Sequence, residues 1–414
     1  MKLNIISQYY WPEDFAAGIY LKDLAIELKK RKHDVRVLTS FPNYPQGKIF
    51  TEYKGKVFMK EEDEGIKIYR SYIKPISRHL PIVLRSLSYI SFSVSVFFNY
   101  LFQKKPHITY VLFPIIPLAI TTLLVSKLKR VPIVFGVKDI SILGLIKSGK
   151  ITNKLLIIIL RKFEILVYSK ADLIQVPSNL QFKYLTENGI NPNKIILIPD
   201  WANPENTKPL SKINSFSEKL NLTSKFIIIY SGNIGYSSDL LPILDVAAGL
   251  SSYTEILFLI IGDGVLKEGL VNHKEKLNLD NLIFLDFQPI EVFPEVLATA
   301  DLSIITLNKS FTHVATQGKI YNIMSSGRPI LAIMDKAATA AEMIEKEEFG
   351  RVFDRDQISE IKDFIISMYN DRSIGLMMGH NARRCLIENF TLDIAVNKFE
   401  NAFLNLLSPD SKEN

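Results

Sequence analysis

The sequence predicts an α/β chain of two doubly wound domains, each a mostly parallel sheet with helices on both faces. Three observations carry that prediction. Apolar runs of strand length alternate with helical stretches along most of the chain. A segment rich in Pro and Asn interrupts the alternation near the middle. The 414 residues, 47% of them hydrophobic, suffice for two full cores.

In the first half, KLNIIS, HDVRVLT, HITYVLF, VPIVFGV and DLIQVP read as strands around helices such as YLKDLAIELKKRK. Residues 86–103, SLSYISFSVSVFFNYLFQ, form an uncharged run that would reach about 27 Å as a helix. Its serines, tyrosines, Asn99 and Gln103 are too polar for a lone lipid-exposed span, while Leu87, Ile90, Val94, Phe98 and Leu101 share one helical face. SFSVSV within it also alternates as a strand would. With Lys74, Arg78 and Arg85 before it and Lys104 and Lys105 after it, the helix suits an anionic bilayer surface. Packing on its own domain is the other reading.

ILIPDWANPENTKPL, residues 196–210, reads as the linker, with the boundary after residue 204. The second half alternates more plainly: FIIIYS, EILFLIIG, NLIFLDF, DLSIITL and RPILAIM are strands, separated by helices such as LLPILDVAAGL and EVFPEVLATA. After residue 373, two amphipathic helices joined at NFT are followed by no strand. The second of them, within residues 391–414, is expected to pack back on the first domain.

Residues 1–200 hold 30 Lys+Arg against 15 Asp+Glu, a balance of +15, whereas residues 201–414 hold 20 against 28, or −8. The two domains are therefore expected to meet different partners, with the basic one suited to an anionic surface. No recognition motif accompanies the charge, so nucleic acid is not among the expected partners. Cys385 is the only cysteine, which excludes an internal disulfide and a cysteine-based metal site. The four-residue apolar run near the N-terminus is too short for the hydrophobic region of a signal peptide, and a cytoplasmic protein is expected.

Open parallel sheets bind ligands beyond the carboxyl ends of their strands, where loops lead into helix N-termini. TQGKIYNIMSSGRPILA, residues 316–332, has that grammar. Gly318 admits a turn or a close ligand, Lys319 stands in the first helical turn, and Gly327 ends the helix. A first-turn Lys opposes the helix dipole and suggests an anionic ligand, a solvated side chain being the alternative. SGNIGYSS, residues 231–238, offers Gly232 and Gly235 between a strand and a helix. GDG, residues 262–264, reads as a tight turn with Asp263 as cap. In the first domain Ala16, Ala17 and Gly18 enter a helix, and Asp139 follows the strand VPIVFGV as either a site carboxylate or a helix N-cap. His33 reads as a helix cap and His313 as a loop residue. No G-x-S-x-G elbow, H-E-x-x-H or complete Walker loop occurs.

Together these stretches resemble the retaining family 4 glycosyltransferases of the GT-B fold, two Rossmann-like domains facing a cleft. The resemblance rests on SQYYWPEDFAAGIYLKDLAIELKKRKHDVRVLT, IPDWANPENTKPL, YSGNIGYSSDLLPILDVAAGL, IIGDG, GKIYNIMSSGRPILAIMDKAATAAEMIE and MGHNARRCLIENFT, whose order and spacing extend over nearly the whole chain. SQYYWPE, TSFPNYPQGKIF and IPDWA look most like the branch of L-fucosamine-type transferases of capsule and O-antigen assembly.

The resemblance implies a UDP-sugar donor on the second domain, residues 205–390. It implies a polyprenyl-diphosphate-linked acceptor on the first, residues 1–204, at the inner face of the plasma membrane. Transfer would proceed with retention and without metal or cofactor. Lys319 and Gly318 would meet the donor diphosphate, helped by Arg328, while Gly232, Asn233 and Gly235 line the same cleft. Backbone N–H groups near Gly18 would meet the leaving group. Phe287 and Gln288 mark a base-site loop, and Glu342 contacts the donor. With no obvious nucleophile, front-face displacement is implied, in which Asp139 orients the sugar or acceptor. The chain departs from the pattern at Val314 and Asn322, where many members carry glutamates, although Asn322 can still hydrogen-bond a donor hydroxyl, at Asn233, where an Arg is frequent, and in DISIL after Asp139. Two other readings stay open: a GT-B subunit that has lost catalysis and serves as an interaction protein, and a nucleotide-sugar 2-epimerase.

Overall fold

The computed structural model describes residues 1–13, 16–44, 46–77, 80–312 and 316–408. Arg78, His313 and Val314 lie outside them. The chain divides into two compact units, Met1–Pro199 with Asp393–Asn414, and Asp200–Leu392.

The first unit runs β1 (Lys2–Ile6), α1 (Ala16–Lys30), β2 (Asp34–Ser40), β3 (Phe58–Asp63), β4 (Ile66–Ser71), α2 (Ile82–Phe102) and β5 (Ile108–Leu112). It continues through α3 (Ile116–Lys129), β6 (Ile133–Gly136), α4 (Ser141–Lys147), α5 (Lys154–Tyr168), β7 (Leu173–Val176), α6 (Asn179–Glu187) and β8 (Ile195–Leu197). Its sheet has the order β3-β4-β2-β1-β5-β6-β7-β8, with only the β3–β4 pair antiparallel. The chain moves outward from β1 in one direction and resumes at β5 in the other. Right-handed crossovers therefore place α1 on one face and α3, α5 and α6 on the opposite face. There Phe92 and Val96 of α2 join Leu118, Val125, Val167 and Leu185 in one core cluster over Val111 and Phe135.

The second unit contains α7 (Ser215–Lys219), β9 (Phe226–Ser231), α8 (Leu241–Gly249), β10 (Ile256–Ile261), α9 (Lys267–Lys276), β11 (Leu282–Leu285), α10 (Phe293–Thr299) and β12 (Leu302–Thr306). After them come α11 (Lys319–Ser325), β13 (Ile330–Ile333), α12 (Thr339–Lys346), β14 (Gly350–Phe353), α13 (Ile358–Asn370) and α14 (Arg372–Asn389). Its sheet is wholly parallel, in the order β11-β10-β9-β12-β13-β14. Every strand expected from an apolar run is present. The additional strands are β3, β4, β8 and β14. FMKEED of β3 is a charged edge strand with no apolar run to reveal it, as sheet edges often are, and β8 and β14 are only three and four residues long.

The chain leaves the first unit at Pro199 rather than after residue 204. Backbone pairing explains the shift: the Ala202 N–H donates to Phe390 O, and the Leu392 N–H donates to Ala202 O. These bonds attach residues 200–204 to the end of α14. The last helix, α15 (Leu392–Leu407), belongs to the first unit from Asp393 onward. Phe399 and Phe403 pack on Tyr110 of β5, with ring centroids 5.4 and 6.1 Å away. Tyr110 points to the face opposite its neighbour Val111, so α15 shares the α1 side.

His33 closes the end of α1 through its backbone, its N–H donating to Leu28 O at 3.1 Å behind the left-handed Lys32 (φ +67°), and its side chain points to α15. Its Nε2 lies 2.6 Å from Glu400 Oε1, and Arg31 Nη1 donates to Glu400 Oε2 at 2.9 Å. Burial acts to raise the Glu400 pKa, but the bonds and charges of Arg31 and His33 outweigh it and hold the carboxyl below its usual range. A depressed folded-state pKa means that this contribution is present above the unfolded value and lost as pH falls through the folded one. Glu400→Gln is expected to cost about 1–2 kcal/mol at neutral pH. The deficit should shrink on acidification, as read from urea unfolding at pH 7 and pH 4.

The 86–103 segment is helical as far as Phe102, so the strand reading of SFSVSV is overturned. Phe92, Val96 and Tyr100 form its buried side, whereas Leu87, Ile90, Val94 and Phe98 are exposed. The apolar face read from the sequence therefore points outward, and a second apolar face packs inward. Among the described residues no helix is long and apolar enough to cross a membrane.

Candidate functional site

In the second unit the sheet order reverses between β9 and β12, and the loops after these strands meet beyond the carboxyl edge. The Asn308 N–H donates to Ser237 O at 2.9 Å, joining the two loops directly. Tyr230, near the end of β9, supports the first loop from below: its hydroxyl donates to Asn233 O at 2.8 Å and contacts Ser238 Oγ at 3.0 Å. From the other side the 262–264 turn closes in. The Gly232 N–H donates to Ile261 O, and the Ile234 N–H to Asp263 O, both at 2.9 Å. Gly262 has φ +149° and Gly264 φ +154°, and a Cβ on either would overlap the carbonyl oxygen of Gly232 or Ile234. GDG thus serves the neighbouring loop. Asp263 is not a cap, because α9 starts at Lys267 with Leu266 at its N-cap position.

Lys319 reaches this framework from α11. Its Nζ sits 4.0 Å from the Tyr230 ring centroid, and a Cβ on Gly232 would lie 2.5 Å from that Nζ. Gly232, with φ +147°, therefore both adopts a backbone that side chains avoid and leaves room for the ammonium. Among the described residues no carboxylate pairs with Lys319. A half-buried cation over an aromatic face, at a switch point, is suited to an anion.

The helix terminus contributes less than its sequence suggests. α11 has only seven residues, and the N–H groups of Ile320 and Tyr321 already donate to Gln317 O and Gly318 O. Gly318 has ordinary helical torsions, φ −55° and ψ −25°, so no turn there requires glycine. Gly327, with φ +67°, does end the helix as a left-handed glycine.

Gly235 is buried beneath the Asn233 side chain, whose Nδ2 would lie 2.5 Å from a Cβ there, and Asn233 itself is exposed. Asn322 is half-buried one helical turn beyond Lys319. Phe287 and Gln288 follow β11 at the same edge, Phe287 exposed and Gln288 donating to Asp286 O at 2.9 Å. Glu342 stands exposed in the first turn of α12, after β13. Arg328 is the exception. It lies between Gly327 and β13, at the amino end of the sheet, where its Nη2 donates to Leu210 O at 2.9 Å. The left-handed turn at Gly327 returns the chain to that end and removes Arg328 from the site.

At the carboxyl edge of the first unit's sheet, Asp139 follows β6. It does not cap α4, whose N-cap residue is Ile140. Burial raises its carboxyl pKa to about 6 against the opposing charge of Lys138, and burial lowers the Lys138 ammonium to about 7. Lys138 Nζ lies 4.8 Å from the Tyr20 ring centroid. Gly18 lies within the first turn of α1, where a Cβ would crowd Tyr10 Cα at 3.3 Å, so the glycine permits close packing of helix on loop.

Sequence reasoning missed Glu13. Wholly buried, its carboxylate accepts N–H groups from Asn43 at 2.8 Å, Tyr44 at 2.9 Å and Tyr10 at 3.4 Å, joining the loops after β1 and β2. The signal was present in SQYYWPE, a carboxylate among aromatic loop residues, but two of its three partners, Asn43 and Tyr44, are distant in sequence. Burial lifts its pKa to about 6 despite these bonds. With the folded-state value raised, the ionised form is the costlier one, and the related stability is lost as pH rises through 6. Glu13→Ala is expected to leave three N–H groups unpaired and to cost about 2–4 kcal/mol, measured by urea denaturation.

Comparison with known proteins completes this description. Residues 212–385 match the family of Glycosyl transferases group 1, and residues 16–201 match the Glycosyl transferase 4-like domain. The chain belongs to the group 1 glycosyltransferases. One relative, WcaI of Escherichia coli strain K12, is named as a colanic acid biosynthesis glycosyl transferase. It is 25% identical over 336 residues, which span 79% of this chain and 82% of that protein. Among solved structures, Anabaena Alr3699/HepE in complex with UDP-glucose superposes with a TM-score of 0.72 at 16% identity, over 98% of this chain and 100% of that one. The sucrose-phosphate synthase of Thermosynechococcus elongatus reaches 0.78 at 15% identity, over 98% and 99%. These structures establish the fold: two Rossmann-like domains of the GT-B kind. Within this group 1 glycosyltransferase, the conjunction of Gly232, Tyr230 and Lys319 is the feature suited to a charged donor group.

Proposed function

We propose that this glycosyltransferase moves a sugar from a UDP-linked donor to a lipid-linked saccharide at an anionic membrane surface, retaining anomeric configuration and using no metal. The Lys319 ammonium held over Gly232 carries the reading, because a donor diphosphate on the 232–238 loop would meet that charge as its glycosidic bond breaks. A solved neighbour bound to UDP-glucose supports the uridine donor. A relative named for colanic acid biosynthesis supports a role in surface polysaccharide, capsule or O-antigen. The likeness of SQYYWPE and IPDWA to L-fucosamine-type transferases favours an N-acetylated deoxyhexose. In front-face displacement the anomeric carbon loses its phosphate oxygen and gains the acceptor oxygen on the same side, while the departing phosphate takes the acceptor proton. Asp139 orients the sugar or acceptor. Asp139→Asn with near-normal turnover would remove it from the mechanism.

The test is incubation of the purified protein with UDP-N-acetyl-deoxyhexoses and lipid-linked saccharides, with the anomeric configuration of the product read by NMR. A retained α or β centre supports the proposal, and an inverted one overturns the mechanism. A second reading has one observation behind it: Asn322 stands where many family members carry a glutamate, as in a subunit that binds without catalysis. UDP binding without donor cleavage or transfer would favour it.

A further inference from the structure

We infer that the outer surface of α2, α3 and α5 is a docking face for anionic lipid, with α5 a principal contact; this rests on the membrane-surface part of the proposed function. The three helices lie side by side, α3 packing on both of the others. α5, KLLIIILRKFEILVY, is apolar nearly all round, the composition of a helix covered on every side. Its inner side is covered, with Val167 and Tyr168 buried in the core cluster. Its outer side is not: Leu155 is 68% exposed, and Ile158, Ile159, Phe163 and Leu166 are each between 41% and 54% exposed. On α3, Leu124 and Leu128 continue the surface, Leu128 being 68% exposed, and on α2 Val94 and Phe98 extend it. Soluble monomers seldom leave one apolar patch larger than roughly a few hundred Å², and side chains of this size on three adjoining helices point to a partner.

Charge decides which partner. Residues 66–170 contain 17 Lys+Arg and only two acidic residues, Asp139 and Glu164. Asp139 lies at the carboxyl edge of β6, and Glu164 faces inward, accepting the Ile142 N–H at 3.2 Å. No acidic side chain therefore stands on the outer surface of α2, α3 or α5, where Arg85, Lys127, Lys154 and Lys162 accompany the apolar residues. Two copies apposed through this face would bring like charges together. Anionic headgroups would neutralise them while the leucines and isoleucines enter the acyl boundary.

The experiment is co-sedimentation of the full chain with phosphatidylcholine vesicles, with and without phosphatidylglycerol. It is repeated on Leu155→Ser/Ile159→Ser and on Val94→Ser/Phe98→Ser. The unaltered protein should bind the phosphatidylglycerol vesicles preferentially, and less tightly in high salt. Each double variant should bind about tenfold or more weakly, with unchanged melting temperature and UDP affinity. Undiminished binding by both variants would overturn this surface while leaving membrane association intact. Absence of vesicle binding by a protein that binds UDP would overturn membrane docking and leave sugar transfer standing. A dimer that the variants dissolve would identify a second copy as the occupant and overturn the lipid assignment.

Discussion

Lys319→Ala is expected to weaken UDP binding by one to two orders of magnitude in a calorimetric titration, with GDP as the comparison. A charge-assisted hydrogen bond to a phosphate contributes about 1.5–3 kcal/mol, and each 1.4 kcal/mol is roughly tenfold in affinity. The ammonium is already positioned over the Tyr230 ring, so little side-chain freedom remains to be lost on binding. Lys319→Arg should not restore the site, because the Lys319 Nζ already packs closely on the Gly232 backbone and the Tyr230 ring, and a bulkier planar guanidinium must displace one of them. Stability should change little, since among the described residues Lys319 makes no ion pair. Unchanged UDP affinity in Lys319→Ala would remove the phosphate role, and failure of the unaltered protein to bind either nucleotide would overturn the donor site itself.

The second large effect is expected at Gly262. A Cβ there meets the carbonyl oxygen of Gly232, which is backbone and cannot swing aside, and φ +149° is a conformation that side chains avoid. The torsion alone costs about 1–3 kcal/mol. Relieving the overlap must displace either the Gly232 carbonyl or the 262–264 turn that supports it. Gly262→Ala should therefore lose about 3 kcal/mol or more in urea denaturation, together with most of its UDP affinity. Gly269→Ala is the control. It lies within α9, where an added Cβ meets nothing within 4 Å, so alanine there should stabilise by up to about 1 kcal/mol. Equal behaviour of the two variants would show that the 262–264 turn does not support the loop.

What could be read beforehand followed the physics of each signal. Strands buried on both faces are continuous apolar runs, which is why FIIIYS and RPILAIM were legible, whereas FMKEED, an edge strand of charged residues, was not. Glycines in strand-to-helix loops pointed to Gly232 and Lys319 as neighbours of a ligand, but not to the Tyr230 ring beneath them, because that contact depends on packing across α11. Arg328 was misplaced because its distance from Lys319 along the chain is short, while the turn at Gly327 sends it to the far end of β13. The outward apolar face of α2 was visible as periodicity, but periodicity does not say which of two apolar faces the core takes. Glu13 was invisible for a similar reason: two of its three bonds join residues 30 and 31 positions apart.

The return of α15 has a consequence for assembly during synthesis. Tyr110 and Arg31 belong to the first half of the chain, yet their partners Phe399, Phe403 and Glu400 are translated only after the whole of the second domain. Domains generally form in the order in which the ribosome releases them. Here the leading domain must wait, with its α1-side face open, until the whole of the trailing one has been made. Its completion is a late event, and a nascent chain stopped just short of residue 393 would have finished its second domain before its first.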